Sequence, residues 1–195
     1  MKKLLFLLIL ISSCKKEVYY YPSKSFFEEN NPTEIIIDEL SFKEITDSIR
    51  RGLYKKEKYF IKLNDSKNIY NISLFTDTGG FIKERNGLYL KKDSLILFEG
   101  KYPISNLSKY LKLHYENNDK EYFYAISYKC AYVKLILNKK DESKELKESL
   151  LNLVQVYNKT NIKNKDNIDF HIMIHYPLES VFPTLIPPPP SSIEK

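Results

Sequence analysis

Three side chains that can bind a soft metal ion alternate near the end of the sequence. The segment from Phe170 to Tyr176 places His171, Met173 and His175 at every second position. In a strand these three project from one face, because successive side chains point to opposite faces. His and Met together suit copper(I), and a single ion would also need His114. The alternative is an ordinary sheet face. We predict no metal and no cofactor, and keep these residues as the metal candidates.

A lone acidic loop follows an apolar strand. Asp77-Thr78-Gly79 follows the apolar strand Ile72 to Phe75, from which Thr76 separates it. The triplet resembles the Asp-Thr-Gly loop of aspartic proteases, in which two loops bring two carboxylates together to share a proton. The resemblance implies a homodimer, because this chain carries one copy. The sequence Asp77-Thr78-Gly79-Gly80 is also typical of a hairpin turn, because glycine readily adopts positive φ. We therefore predict a turn here.

Other catalytic patterns are missing from the sequence. It has five glycines and no Gly-x-Ser-x-Gly or phosphate-binding glycine loop. Cys130 lies in an apolar, strand-like run without a histidine nearby in sequence. A catalytic thiol needs a base, so we predict a buried, structural cysteine. These observations predict a protein that is not an enzyme.

The first residues predict where the protein resides. Lys2 and Lys3 precede the apolar run Leu4 to Ile11, and Ser12-Ser13-Cys14 follow. The run matches a secretory signal and is shorter than the roughly 20 residues of a spanning helix. Ile11 to Cys14 resembles the lipobox of bacterial lipoproteins. The resemblance implies acylation of Cys14, palmitate included, and a lipid anchor in the cell envelope, at the outer membrane on its periplasmic or surface face. The alternative is an ordinary cleaved signal with Cys14 as a bystander.

The chain of 195 residues is long enough for one domain with a proper core. Its net charge of +6 is spread evenly, so we predict no nucleic-acid partner, which would require clustered cations. We expect a signal peptide over 1–13, a tether over 14–33, one α+β domain over 34–178 and a proline-rich tail over 179–195. The tail contains Pro187 to Pro190 and favours an extended polyproline conformation.

Hydrophobic periodicity predicts an α+β fold with a mostly antiparallel sheet and two or three packed helices. Ser41 and Glu44 form a capping-box pattern for a helix that Gly52 ends. In the helix over 141–158, alternating Glu and Lys residues predict a solvated, ion-paired face. The predicted strands are 34–38, 59–63, 69–75, 81–90, 94–98, 122–137 and 168–176, and the predicted helices are 41–52, 106–116 and 141–158.

From residue 69 onward the predicted order is strands, helix, strand, helix, strand. This order resembles the periplasmic domain of ExbD/TolR-type proteins, which are small modules of envelope complexes. The chain lacks the spanning helix with an acidic residue that marks that family. The resemblance therefore implies a docking module and no role in proton transfer.

These observations favour a membrane-anchored lipoprotein whose non-catalytic α+β head binds or scaffolds a protein partner in the envelope. Two alternatives stay open. One is an anchored inhibitor or immunity-type protein, which would have the same small lipidated build. The other is an envelope hydrolase, either aspartic-protease-like through Asp77 or metal-dependent through His171 and His175.

Lipidation can be tested at the cysteine itself. We expect labelled fatty acid to attach to the wild-type protein and to a Cys130→Ala control, but not to Cys14→Ala. Cys14→Ala should remain unprocessed or soluble, whereas the wild type partitions into detergent, because the acyl chains supply about 0.8 kcal/mol per buried CH₂. A wild-type protein that takes up no label would contradict the prediction.

Overall fold

A nine-stranded mixed sheet forms the centre of the computed structural model, which describes residues 16–77, 83–97 and 100–177. The strands are β1 (Glu17–Tyr21), β2 (Thr33–Glu34), β3 (Tyr59–Asn64), β4 (Asn68–Thr76), β5 (Gly87–Lys91), β6 (Ser94–Leu97), β7 (Gly100–Pro103), β8 (Tyr132–Ile136) and β9 (His171–His175). The helices are α1 (Lys24–Asn30), α2 (Phe42–Tyr54), α3 (Leu107–Glu116) and α4 (Ser143–Lys159).

The strands lie in the order β2-β3-β4-β9-β8-β5-β6-β7, and β1 also pairs with β4. The parallel pairings are β1 with β4, β2 with β3, β4 with β9, β9 with β8 and β8 with β5. The antiparallel pairings are β3 with β4, β5 with β6 and β6 with β7. The α+β class is compatible with this arrangement, but the prediction of a mostly antiparallel sheet is wrong.

At one connection, strands that are consecutive in the chain are not neighbours in the sheet. Strands β4 and β5 follow each other in the chain, yet β9 and β8 lie between them in the sheet. Both inserted strands are parallel to β4 and β5. A parallel pair needs a long crossover connection, usually through a helix, and here α4 makes the crossover from β8 to β9. Strand periodicity alone does not reveal such a crossover.

One face of the sheet carries most of the hydrophobic core. Alternate residues of the central strands point to it, among them Ile72, Leu88, Val133 and Ile172, each 0 % exposed. The buried stripes of α2, α3 and α4 belong to the same hydrophobic cluster. Helix α1 lies on the opposite side, where Phe27 packs edge-to-face on Phe60 at 5.3 Å. The described chain thus has four helices, one more than predicted.

The predicted tether over 14–33 is wrong for its described part. Residues Glu17 to Tyr21 pair in register with β4, from Asn68 to Ile72. Tyr21 is 3 % exposed, and its hydroxyl donates a hydrogen bond to Asn158 Oδ1 at 2.7 Å. Helix α1 follows, capped by the Ser23 hydroxyl. The segment looks polar in sequence because only one of its faces is buried.

Several other boundaries differ from the predicted ones. The strand over 34–38 is limited to Thr33–Glu34, and β7 was not predicted. The long strand over 122–137 is correct only at β8, since residues 121–130 form turns and loop. Of the predicted strand over 81–90, the described residues from 83 onward form a short 3-10 helix at Glu84–Asn86 and then β5 from Gly87. Residues 78–82, 98–99 and 178–195, including the predicted tail, lie outside the described chain.

The predicted helices are confirmed in place. The Ser41–Glu44 capping box of α2 is complete, with the Glu44 carboxylate accepting from the Ser41 N–H at 2.8 Å. Helix α2 continues past Gly52 to Tyr54, so Gly52 does not end it. Gly52 instead allows close packing, because an added Cβ would lie 2.1 Å from the Tyr59 ring. Leu53, at the end of this helix, is half-buried.

Tyr21 distinguishes a structural strand from a tether. We expect Tyr21→Ala to lower the free energy of unfolding by about 3–5 kcal/mol, as is usual when a large buried aromatic side chain is truncated. Tyr54→Ala is the matched control, because Tyr54 is 73 % exposed, and it should change stability by less than about 0.5 kcal/mol. Urea unfolding of both variants provides the measurement. Equal stabilities would contradict the assignment of β1 to the sheet.

Candidate functional site

The predicted metal candidates lie on the face of the sheet opposite the core, here called the second face. It comprises the alternate residues Phe75, Tyr89, Tyr132, Lys134, His171, Met173 and His175. His171 packs edge-to-face on Phe75 at 6.0 Å, and Met173 is 1 % exposed. The three candidate side chains therefore share a face, as predicted.

The geometry does not favour a shared ion. His171 and His175 are four residues apart in an extended strand, which separates their Cα atoms by about 13 Å. His114 cannot complete the set, because it belongs to α3 and is buried in the core on the other side of the sheet. Among the described residues, no group of three or more His, Cys, Asp or Glu side chains could hold a metal ion.

Burial lowers the pKa of both second-face histidines. For His171 the cause is desolvation, which the charge of Asp169 partly offsets. For His175 desolvation comes first, and the positive charges of Lys134 and Arg50 lower the pKa further, while the charge of Asp77 partly offsets them. Both rings are therefore neutral at pH 7. A neutral histidine beside two cations is poorly suited to act as a general acid at this pH.

His114 has a structural role. Its Nδ1 accepts a hydrogen bond from the Ala125 N–H at 3.3 Å, so Nε2 carries the proton and donates to the Asn86 carbonyl oxygen at 2.9 Å. The ring thus ties α3 to the loop at 125 and to the start of β5. Burial lowers the pKa of His114 to about 4.

Asp77 follows the last residue of β4, as predicted, but residues 78–80 of the predicted turn lie outside the described chain. Its negative charge helps to raise the pKa of Tyr89 and of Tyr132, although desolvation is the main cause for both. The two hydroxyls are linked by a hydrogen bond, and Tyr89 donates onward to the Glu84 carbonyl oxygen at 3.3 Å. Raised pKa values keep both tyrosines protonated, as hydrogen-bond donors rather than bases.

Cys130 is exposed, so the prediction of a buried cysteine is wrong. It lies in a turn just before β8, and its backbone N–H donates to the Ser127 carbonyl oxygen at 3.2 Å. The apolar run around it suggested a continuous strand. The strand starts only at Tyr132, two residues later.

A groove with acidic walls lies between α4, the strands β5 and β8 and the turn that follows β5. We call it the acidic groove; it has a volume of about 500 Å³. Its apolar floor includes Leu90, Leu107, Leu135 and Leu153, and its carboxylates are Asp93, Asp141, Glu145 and Glu148. Within the described chain no salt bridge neutralises Glu145 or Glu148, because the ion pair of α4 joins Lys147 to Asp38. The prediction of an ion-paired helix face is therefore wrong on this side.

A second groove, here called the aromatic groove, opens at the starting end of β5 and has a volume of about 490 Å³. Its floor is formed by Gly87, Tyr89, Ile96 and Leu97. Its walls are the segment Lys83 to Arg85 and the pair Tyr122 and Phe123, which are 66 % and 37 % exposed. Arg85 is held over the Tyr122 ring at 5.1 Å.

Neither groove was predicted from the sequence. Each brings together residues from segments far apart in the chain, such as Asp93 with Glu148, or Arg85 with Tyr122. The available signals were local ones: Glu145 and Glu148 three residues apart on one helix, and two adjacent aromatics after α3. Periodicity assigned the first pair to a solvated face and the second to a strand.

Comparison with known proteins provides no relative for this arrangement: the chain matches no family model, no curated protein and no solved structure. In the residues that the structure describes, no helix is both long and apolar enough to cross a membrane. The class that the geometry defines is therefore an α+β domain with a mixed sheet, a helical core on one face and two surface grooves.

The neutral, buried His114 makes stability depend on pH. Its pKa rises from about 4 in the folded state to near 6.5 in the unfolded state, so the unfolded chain binds the proton more tightly. The stabilisation of the folded state by the neutral His114 ring is complete above pH 6.5 and decreases as the pH falls towards 4. Between pH 7 and pH 4 the free energy of unfolding falls by about 3 kcal/mol from this cause.

We expect this loss to shrink in His114→Gln, whose amide does not titrate. The measurement is urea unfolding of both proteins at intervals from pH 7 to 4. His171 and His175 remain in both proteins, so the difference between the two slopes isolates His114. If the free energy of unfolding depends on pH in the same way in both proteins, the His114 ring is not held neutral in the folded state.

Proposed function

We propose that this protein is a membrane-anchored lipoprotein of the bacterial cell envelope whose non-catalytic α+β head binds a protein partner. The anchor is proposed from the signal that ends at Cys14, which lies outside the described residues. The binding role is supported above all by the acidic groove, which joins an apolar floor to carboxylates that lack salt-bridge partners in the described chain.

The chemistry of this groove favours a basic, partly apolar segment of the partner. Lysine and arginine bury their aliphatic stems on apolar surface while their charged ends stay near water. The half-buried lining residues Ile104 and Ile136 would contact the stems, and Glu145 and Glu148 would meet the charges. The chain as a whole carries +6, which repels a basic partner. Because charges are screened beyond about 8–10 Å, the local carboxylates direct such a partner to the groove.

Support for a non-catalytic head comes from the separation of the reactive side chains. Cys130 is exposed in a turn on its own, His114 is fixed in the core, and the two second-face histidines are too far apart to act together. An anchored inhibitor would use the same groove. The two roles differ in whether the bound partner loses an activity.

Carboxylate-to-lysine crosslinking tests the proposal directly. A carbodiimide joins carboxylates to nearby amines, so treatment of intact membranes should link Glu145 or Glu148 to a lysine of the partner. We expect Glu145→Lys with Glu148→Lys to reduce partner recovery at least about tenfold, since both carboxylates are lost and cations replace them. An assay of the recovered partner, free and bound, then separates a scaffold from an inhibitor.

The matched control is Glu28→Lys with Glu29→Lys, which makes the same change in net charge on the exposed helix α1, away from the groove. It should leave recovery unchanged. If both double variants recover as much partner as the wild type does, the acidic groove is not the contact. Loss in both would attribute binding to net charge alone.

A further inference from the structure

The aromatic groove has a rigid wall. The Arg85 guanidinium donates to the Asp119 carboxylate at 2.6 Å and to the Tyr124 carbonyl oxygen at 3.3 Å. These two contacts fix its plane, and the Tyr122 ring lies over it at 5.1 Å. Phe123 packs edge-to-face on Tyr122 at 6.0 Å with an interplanar angle of 83°. The groove therefore presents two differently oriented rings. Arg85 holds the Tyr122 ring in place, and the Tyr122 ring in turn packs against Phe123.

The floor is also fixed. The Tyr89 hydroxyl donates to the Glu84 carbonyl oxygen and accepts from Tyr132, so its ring cannot swing into the groove. Gly87 has no side chain to fill the space, and a Cβ there would lie 2.8 Å from the Tyr132 ring. Ile96 completes an apolar surface beside the Tyr89 ring.

Fixed, amphipathic aromatic rings around a shallow groove are the surface on which polyproline II helices dock. Proline-rich segments suit such grooves because they are already extended and lose little conformational entropy on binding. The chain contains a segment of this kind, Pro183-Thr184-Leu185-Ile186 followed by Pro187 to Pro190. It belongs to residues 178–195, which follow the end of the described chain at Pro177.

We propose that the aromatic groove binds the proline-rich segment Pro187 to Pro190 of the same chain. The carbonyl groups of the segment would face the Arg85 side of the groove, and its proline rings would pack on the exposed rings of Tyr122 and Phe123 and on Tyr89. The groove would then be a self-occupied site that an outside proline-rich ligand reaches only by competition.

The chain between Pro177 and Pro187 is long enough to reach the aromatic groove. The groove lies at the starting end of β5, whereas Pro177 follows the far end of β9, and the path between them crosses β8 and β5. Strand spacing and rise give a span of about 20 Å across the sheet. Pro187 lies ten positions after Pro177, and ten residue steps in a polyproline conformation cover roughly 30 Å.

A tethered segment needs little intrinsic affinity. A short connection gives an effective concentration of about 1 mM, so an affinity of about 100 µM would keep roughly nine in ten grooves occupied. Most protein–peptide contacts of this type are weak, and the tether compensates for that weakness.

Photocrosslinking from the groove tests the proposal in the full-length protein. Benzoylphenylalanine is placed at Phe123 and, as the matched control, at Tyr54, which is also exposed but lies on α2. We expect a peptide containing Pro187 to Pro190 of the same chain to be recovered from the Phe123 position at least about fivefold more than from Tyr54. A crosslink to a second copy or only to another protein would overturn the proposal.

A titration tests the chemistry independently of proximity. In the full-length variant Pro187→Ser, Pro188→Ser, Pro189→Ser and Pro190→Ser, the groove should be vacant. A synthetic peptide of residues 183–192 should bind this variant at least about tenfold more tightly than it binds the wild type. Tyr122→Ala in the variant should abolish binding. Equal affinities for wild type and variant, or no binding to either, would refute the proposal.

Discussion

Strand β4 is long enough for two strands to pair end to end along one of its edges. Strand β1 pairs with its first half, from Asn68 to Ile72, and β9 pairs with its last residues, Leu74 to Thr76. The junction is closed by a hydrogen bond from the Phe170 N–H to the Pro22 carbonyl oxygen at 3.0 Å. The other edge of β4 binds β3. The first and last strands of the described residues 16–177 are therefore held by one hydrogen-bond ladder, and the core forms over it.

The aromatic cluster behind this junction explains why the N-terminal strand is essential to the core. Tyr21 of β1 packs edge-to-face on Tyr157 of α4 and on Phe170, and Tyr157 stacks on Phe170 at 3.7 Å. Aromatic pairs of this kind contribute about 0.5–1.5 kcal/mol beyond their buried area. Removing β1 would expose this cluster as well as one edge of β4.

Local patterns in the sequence were sufficient for the three longer helices and most of the strands, but they missed β1, α1 and β7 and did not indicate which strands pair. The capping box at Ser41, the stripe of α4 and the alternation in β3 each depend on residues a few positions apart, so the sequence reports them. Strand pairing depends on chain segments separated by many residues, as in β9 between β4 and β8. The candidate sites follow the same rule: His171 and His175 were correctly placed on one face, whereas both grooves combine distant segments.

The strand β1 also constrains how a lipid anchor would hold the head. Under the proposed acylation of Cys14, Glu17 lies three positions after the anchor, a span of at most about 10 Å. Lys16 already donates to the Asp65 carbonyl oxygen at 2.8 Å, at the turn that precedes β4. The head would therefore lie against the membrane surface, with the starting ends of the parallel strands towards the lipid. The aromatic groove is at that end, whereas the acidic groove, near Leu137 and Asp141, is at the opposite end. A partner arriving from outside the membrane would meet the acidic groove first.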